Sequence, residues 1–227
     1  MDLQDGYIIH RRNYLDSSII LDIFIKEFGI LSMVAKGARR KTYRNKGAVQ
    51  LFTPILVSWY GKSDLLTLKN IEIHACEYML PPQNLSFGFY LNELLVRLLR
   101  HGDPHPELFV YYHYALEQLV ANKNIEVILR VFEKKLLQET GYELFGNTIV
   151  AENNYIFKAD SGFIVVDMLQ AKAAGLATYK GKSLLALQQE TLDVDDSDTL
   201  KDIKKLMRTV IKIQLGDRPL RSRDLVA

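Results

Sequence analysis

The hydrophobic pattern changes character near residue 80. Before that point, GYIIHRRNY, SSIILDIFIKEFG and GILSMVAKG are short runs rich in Ile, Phe and Val, separated by turn residues. FTPILVSWYGKSD and LLTLKNIEIHA then read as a hairpin that turns at Gly61-Lys62-Ser63-Asp64. Five β segments within the first 78 residues, at this spacing, predict a small barrel. After Pro81-Pro82 the period lengthens. Phe87, Tyr90, Leu91, Leu94, Leu95 and Leu98 recur at helical spacing up to His101-Gly102. Asp103-Pro104-His105-Pro106-Glu107 suits a helix start, because proline fits the first turn and acids fit the positive end of the dipole. That helix carries Leu108, Tyr111, Tyr112, Ala115, Leu116 and Leu119. A third, IEVILRVFEKKLLQET, stops at Gly141.

NNYIFKADSGFIVVD breaks the helical period and predicts a hairpin around Asp160-Ser161-Gly162. A long helix follows from Asp198 to Leu215, its inner stripe being Leu200, Ile203, Leu206, Met207, Val210 and Ile211. The predicted class is therefore α+β with two domains. A five-stranded barrel occupies residues 1–79, and a mostly α-helical domain with a β-hairpin near 154–167 occupies residues 80–227.

Charge changes this picture in one place. The chain has 227 residues and a net charge of only +2. Residues 1–78 nevertheless carry 11 Lys/Arg against 8 Asp/Glu, and the excess is concentrated in VAKGARRKTYRNKGAVQ. Lys36, Arg39, Arg40, Lys41, Arg44 and Lys46 stand there without one acidic residue, between Gly37 and Gly47. A lone run of charges also suits a plain solvated loop. A glycine-hinged cationic loop between the third and fourth strands of a barrel suits phosphates, since each one neutralised releases counterions. Arg11 and Arg12 on the first strand extend the same track, and Tyr14, Trp59 and Tyr60 are candidate surfaces for base stacking.

Other chemistry is sparsely supported. The chain has no nucleophile elbow, no Walker loop and no HExxH, so it is not expected to be an enzyme and no catalytic residue or cofactor is assigned. His101 and His105 are four apart, but Gly102 and Pro104 prevent one helical face, so no metal site is expected. Asp193 to Asp198 reads as a solvated loop and helix cap. The single cysteine, Cys76, excludes an internal disulfide and is expected to be a buried small apolar group. With no signal pattern and no apolar stretch of membrane-spanning length, a cytoplasmic location is expected. In the third helix, Arg130, Lys134 and Lys135 alternate with Leu129, Phe132, Leu136 and Leu137. This is either an ordinary amphipathic helix or a groove for an acidic, apolar-ended peptide.

GYIIHRRNYLDSSIILDIFIKEFGILSMVAKGARR, FTPILVSWYGKSDLLTL, DPHPELF, FEKKLLQETGYEL and LGDRPLRSRDL resemble, in that order, segments of the bacterial RecO family of recombination mediators. The resemblance implies an OB-fold followed by a helical domain. It implies a protein of DNA repair that binds single- and double-stranded DNA without sequence preference and anneals complementary strands. It further implies help in loading RecA onto DNA coated by single-strand-binding protein, with the tail of that protein and RecR as partners. On this basis the DNA role falls to Arg11, Arg12, Lys36, Arg39, Arg40, Lys41, Arg44 and Lys46. Docking of the tail falls to Arg130, Phe132, Lys134 and Leu137. Many relatives hold zinc through four cysteines near the segment that here reads GNTIVAENNYIFKADSGFIVV. The segment has none, so zinc is expected to be absent and the hairpin to be held by packing alone. An RNA-binding barrel and a partner-docking adaptor that does not touch DNA are the alternative functions.

Overall fold

The computed structural model describes residues 2–74, 79–216 and 220–222; Cys76 lies outside them. The predicted strands form as β1 (Gln4–Tyr14), β2 (Ser18–Ile25), β3 (Gly29–Ala35), β4 (Pro54–Tyr60) and β5 (Leu65–Ile73). They close into a barrel in the order β1-β2-β3-β5-β4, with β1 completing the ring against β4. The β3–β5 pair is parallel and the others antiparallel. A five-stranded barrel with this order is an OB-fold.

β2 is buried along its whole length, SIILDIFI, which explains why its sequence does not alternate. Ile19, Leu21, Ile23 and Ile25 point into the barrel with Ile8, Met33, Ile55, Val57 and Ile71. The opposite face of the sheet is covered by α1 (Leu85–Leu98) and α2 (Pro106–Val120). There Tyr7 meets Tyr112 edge-on with ring centroids 5.2 Å apart, and Phe24 lies 5.4 Å from Phe109. Contacts of this kind add about 0.5–1.5 kcal/mol each beyond the area they bury. Polar groups fix the register of this packing. Asn92 of α1 donates to the Ile9 carbonyl at 2.9 Å and accepts from the Tyr112 hydroxyl at 2.5 Å. Asp22, the one acid in β2, is buried but accepts from Ser32 at 2.5 Å and bonds to His10 at 3.0 Å.

By compactness the chain divides at Lys123/Asn124, so that α1 and α2 pack as one unit with the barrel. Leu220, Arg221 and Ser222 also join this first unit. The Glu93 carboxylate accepts from the Ser222 hydroxyl at 2.6 Å and from the Ser222 and Arg221 amides at 2.8 and 3.0 Å. Burial pushes the Glu93 carboxyl upward, but these bonds and the Arg97 charge outweigh it and hold it below the usual carboxylate range.

The second unit, Asn124–Pro219, contains α3 (Ile125–Glu139), a small sheet and three further helices. The predicted hairpin is β6 (Asn154–Lys158) and β7 (Gly162–Val166); β8 (Thr178–Lys180) adds a third strand to give the order β7-β6-β8. The helices are α4 (Met168–Ala173), α5 (Gly181–Gln188) and α6 (Ser197–Leu215). Asp196 caps α6, accepting from the Thr199 amide at 3.0 Å. Leu137, Tyr155, Phe163, Tyr179 and Leu184 pack with Ile203, Met207 and Val210 in one core. The cysteine-free hairpin is held by hydrogen bonds as well as packing. Phe145 stacks on Phe163 at 5.6 Å, the Tyr155 hydroxyl accepts from the Val150 amide at 2.8 Å, and Asn147 donates to the Phe163 carbonyl at 3.2 Å.

Candidate nucleic-acid interface

The loop from Lys36 to Thr53 joins β3 to β4. Its apolar residues decide its shape. Ala38, Ala48 and Val49 are buried in the barrel core cluster, and Tyr43 packs against that cluster half-buried. Burial raises the Tyr43 hydroxyl above its ordinary value, so it stays a neutral phenol at physiological pH. Asn45 donates to the Ile71 carbonyl of β5 at 2.7 Å, and the Arg39 amide donates to the Ser17 carbonyl at 2.9 Å. Successive turns close at Arg40 onto Gly37 (2.9 Å), Tyr43 onto Arg40 (3.1 Å) and Ala48 onto Asn45 (3.1 Å). Gly37 sits at φ +70, a left-handed conformation that a side chain would strain. The loop is therefore pinned at several points, and the expectation of a freely hinged segment is corrected by these anchors.

With the apolar residues turned inward, all six cations face water: Lys36, Arg39, Arg40, Lys41, Arg44 and Lys46 are exposed. Lys36, Arg40 and Arg44 line one shallow cleft of about 330 Å³ together with Thr42 and Tyr43. None of the six forms an ion pair with an acidic group among the described residues. The Arg11 guanidinium reaches the far end of the loop, donating to the Val49 carbonyl at 3.1 Å and the Gln50 side chain at 3.3 Å. Arg12 is exposed as well, but adjacent strand residues point to opposite faces, so Arg11 is the one tied to the loop. Arg39 bonds to the Leu15 carbonyl at 3.3 Å.

The aromatic candidates separate. Trp59 is 7% exposed, inside the barrel, with its ring edge-on to Phe28 at 5.1 Å. It shares the inward face of β4 with Ile55 and Val57, so it is corrected from a stacking surface to a core residue. Tyr60, its neighbour on the opposite face, is exposed, and Tyr14 is half-buried at the end of β1.

The four α3 residues expected to dock the tail are all buried, which speaks against that expectation. Leu137 is fully enclosed in the second unit's core, and Phe132 is 2% exposed. Arg130 pairs with Glu133 at 3.0 Å. Lys134 donates to the Gln188 carbonyl at 2.7 Å and to Glu190 at 2.9 Å, while Lys135 meets the same carboxylate at 2.6 Å. The lysines thus satisfy the C-terminal end of α5, where unpaired carbonyls favour cations. His105 is buried at the N-cap of α2 and His101 bridges to Ile30, so the two histidines serve separate backbone positions.

A feature beside the loop went unnoticed in the sequence. A groove of about 740 Å³ runs between the loop's end and α1, lined by Arg11, Gln50, Leu51, Phe52, Met79 and Phe89 among others. Phe89 is 40% and Met79 79% exposed. The signal was available in the helical period: Leu85 and Phe89 are four apart, outside the inner stripe of Leu91, Leu94 and Leu95.

Comparison with known proteins bears on the whole chain. Residues 1–76 match the family described as Recombination protein O N terminal, and residues 81–224 match Recombination protein O C terminal. The chain is 41% identical over 231 residues to the DNA repair protein RecO of Coxiella burnetii (strain RSA 493 / Nine Mile phase I), covering 99% of this chain and 97% of that protein. It is 39% identical to the protein of the same name from Haemophilus influenzae (strain PittGG), covering 99% and 95% of the two chains. With that of Aliivibrio salmonicida (strain LFI1238) it shares 37% identity over 98% and 94%.

Proposed function

The chain belongs to the recombination protein O family of DNA repair proteins, and from that premise we propose that the β3–β4 loop grips DNA phosphates without sequence preference. The observation that carries this reading is the set of six exposed, acid-free cations on a pinned loop of an OB barrel. Anchoring matters because a preordered loop loses less side-chain and backbone freedom on binding than a floppy one. Phosphate contacts of this kind hold single or double strands alike and leave base edges free. Two strands held on such a surface repel each other less, so complementary bases can pair. The proposal extends to annealing of complementary strands and to help in loading RecA onto DNA coated by single-strand-binding protein, neither of which asks this chain for a covalent step. The tail of single-strand-binding protein and RecR are partners in the same proposal. Because the side chains of Arg130, Phe132, Lys134 and Leu137 are buried, the proposal looks for the tail's site on another surface. No helix among the described residues is long and apolar enough to cross a membrane, and the protein is proposed to act in the cytoplasm, at the nucleoid during repair.

A fluorescence titration of a labelled single-stranded oligonucleotide across a salt series tests the reading. Engagement of all six cations gives a log–log salt slope of roughly −4 to −5. Absence of binding at every salt concentration moves the function to partner docking alone. A parallel RNA titration in which RNA binds more tightly than DNA assigns the barrel to RNA instead.

A further inference from the structure

The groove beside the loop adds a largely apolar surface to the cationic one, and its lining describes what it takes. Among the described residues, its only charged lining residue is the cation Arg11. Its walls are otherwise apolar or neutral, with the Phe89 ring 5.4 Å from Phe52 and roughly perpendicular to it at 72°. Gly88 makes this seat: a Cβ there would come within 2.9 Å of the Phe52 ring and 2.6 Å of Leu80. Gly47 and Gln50 of the basic loop form part of the same wall. Gly47 is three residues from Arg44 of the cationic cleft, a reach of no more than about 11 Å of chain. Beyond Phe89 the depression continues as a second groove of about 450 Å³ that includes Arg97 and Arg221. Glu93 in that groove has its carboxylate engaged by Arg97, Arg221 and Ser222. A flat apolar occupant with a phosphate chain attached fits this sequence of cleft, aromatic groove and further cations; every base offers a π-face at the required place.

We propose that the Phe52/Phe89 groove receives unpaired nucleobases, with Phe89 as the stacking surface and Arg11 at its lip, so that the protein distinguishes single strands from duplex. This rests on the reading of the loop as a phosphate grip and adds base recognition to it. Duplex DNA keeps its bases in the helix and meets only the cations; a single strand meets both.

The test compares a labelled oligothymidylate with an abasic deoxyribose-phosphate strand of the same length. Both are titrated into wild type, Phe89→Ala and Phe89→Trp. Wild type is expected to prefer the strand with bases by roughly ten-fold for one stacked base. Phe89→Ala loses that preference with its salt slope unchanged, and Phe89→Trp, which keeps a stacking face, retains it. A 2-aminopurine strand changes fluorescence on wild type and not on Phe89→Ala. Equal binding of both strands by wild type, with a steep salt slope intact, overturns the groove and spares the loop reading. Failure of both strands to bind at low salt overturns both readings. If the aminopurine signal stays constant while a labelled acidic peptide ending in phenylalanine binds wild type and not Phe89→Ala, the groove belongs to a peptide and the proposal falls.

Discussion

Two cation-rich segments of this chain meet opposite fates. In the β3–β4 loop, the six cations between Lys36 and Lys46 point to solvent. In α3, Arg130 and Lys134 are each 4% exposed. Both segments place bases beside apolar residues, so composition does not separate them. Their acids do. The loop contains none, whereas α3 supplies Glu126 and Glu133 at helical spacing from Arg130, and Glu190 arrives from beyond α5 to meet Lys134 and Lys135. Burying a cation is costly unless a carboxylate and further acceptors come with it. The loop has no acid of its own and pairs with none from elsewhere among the described residues, so its cations remain in water, available to the phosphates proposed above.

The strongest way to break this comparison is to remove a buried cation. Lys134→Ala takes a partner from Glu190 and the donor from the Gln188 carbonyl, and is expected to cost about 3 kcal/mol. Lys134→Met, which keeps the apolar stem, costs less. Urea midpoints at constant slope measure both. If Lys134→Ala leaves the midpoint unmoved, the α3 network is ornamental and the tail-docking assignment deserves to return.

The complementary change is made in the loop. Replacing Arg39, Arg40 and Lys41 together by alanine leaves the urea midpoint near wild type, because all three are exposed and bound to no acid. DNA affinity falls, and the salt slope flattens by roughly 2–3 as three phosphate contacts disappear. A stable triple mutant with unchanged affinity excludes the loop from binding. Together these two variants sharpen the contrast: one loses stability and keeps DNA, the other loses DNA and keeps stability.

A third, intermediate effect concerns the aromatics, which divide in the same manner. Tyr60→Ala is expected to leave stability near wild type, while Trp59→Leu enlarges the barrel interior and lowers stability by about 1–3 kcal/mol. Thermal or urea unfolding checks both, and a neutral Trp59→Leu means the ring is dispensable to the core.

Much of this division was readable from residue order. The barrel strands and the long α6 appear in the sequence because their periods are clean, and strand parity already places Trp59 with Ile55 and Val57. Three features were hidden. β8 has only Thr178–Lys180, too short for any period to register. The union of α1 and α2 with the barrel depends on Asn92 and Tyr112, polar contacts that follow no repeat. The loop's rigidity lies in Ala38, Ala48 and Val49, small residues whose burial depends on strands far away in sequence. Candidate site residues were legible where charge lacked compensation within the same segment. In α3 the compensation is not legible locally, because one compensating acid, Glu190, lies more than fifty positions downstream of Lys134.

That acid sets the smallest and most specific expectation. Glu190 follows the C-cap of α5 at φ +58, a position that usually holds glycine. Its amide donates to the Leu187 carbonyl and the Thr191 amide to that of Ala186, which closes the helix end. Burial works to raise the Glu190 carboxyl, but hydrogen bonds and charge from Lys135 and Lys134 outweigh it and hold it below the usual carboxylate range. A carboxyl depressed on folding stabilises the protein above its unfolded value, and that contribution fades as pH falls through the folded one. Wild type is therefore expected to lose stability as pH drops below about 4.5, and Glu190→Gln to show a shallower loss over the same range. Glu190→Gly separates the two roles of the position: it relaxes the left-handed backbone while removing the charge. If Glu190→Gly matches wild type at neutral pH but loses the acid-sensitive component, backbone relief has offset the lost ion pairs. If it is clearly weaker, the carboxylate between two lysines is what keeps α3 closed to outside partners.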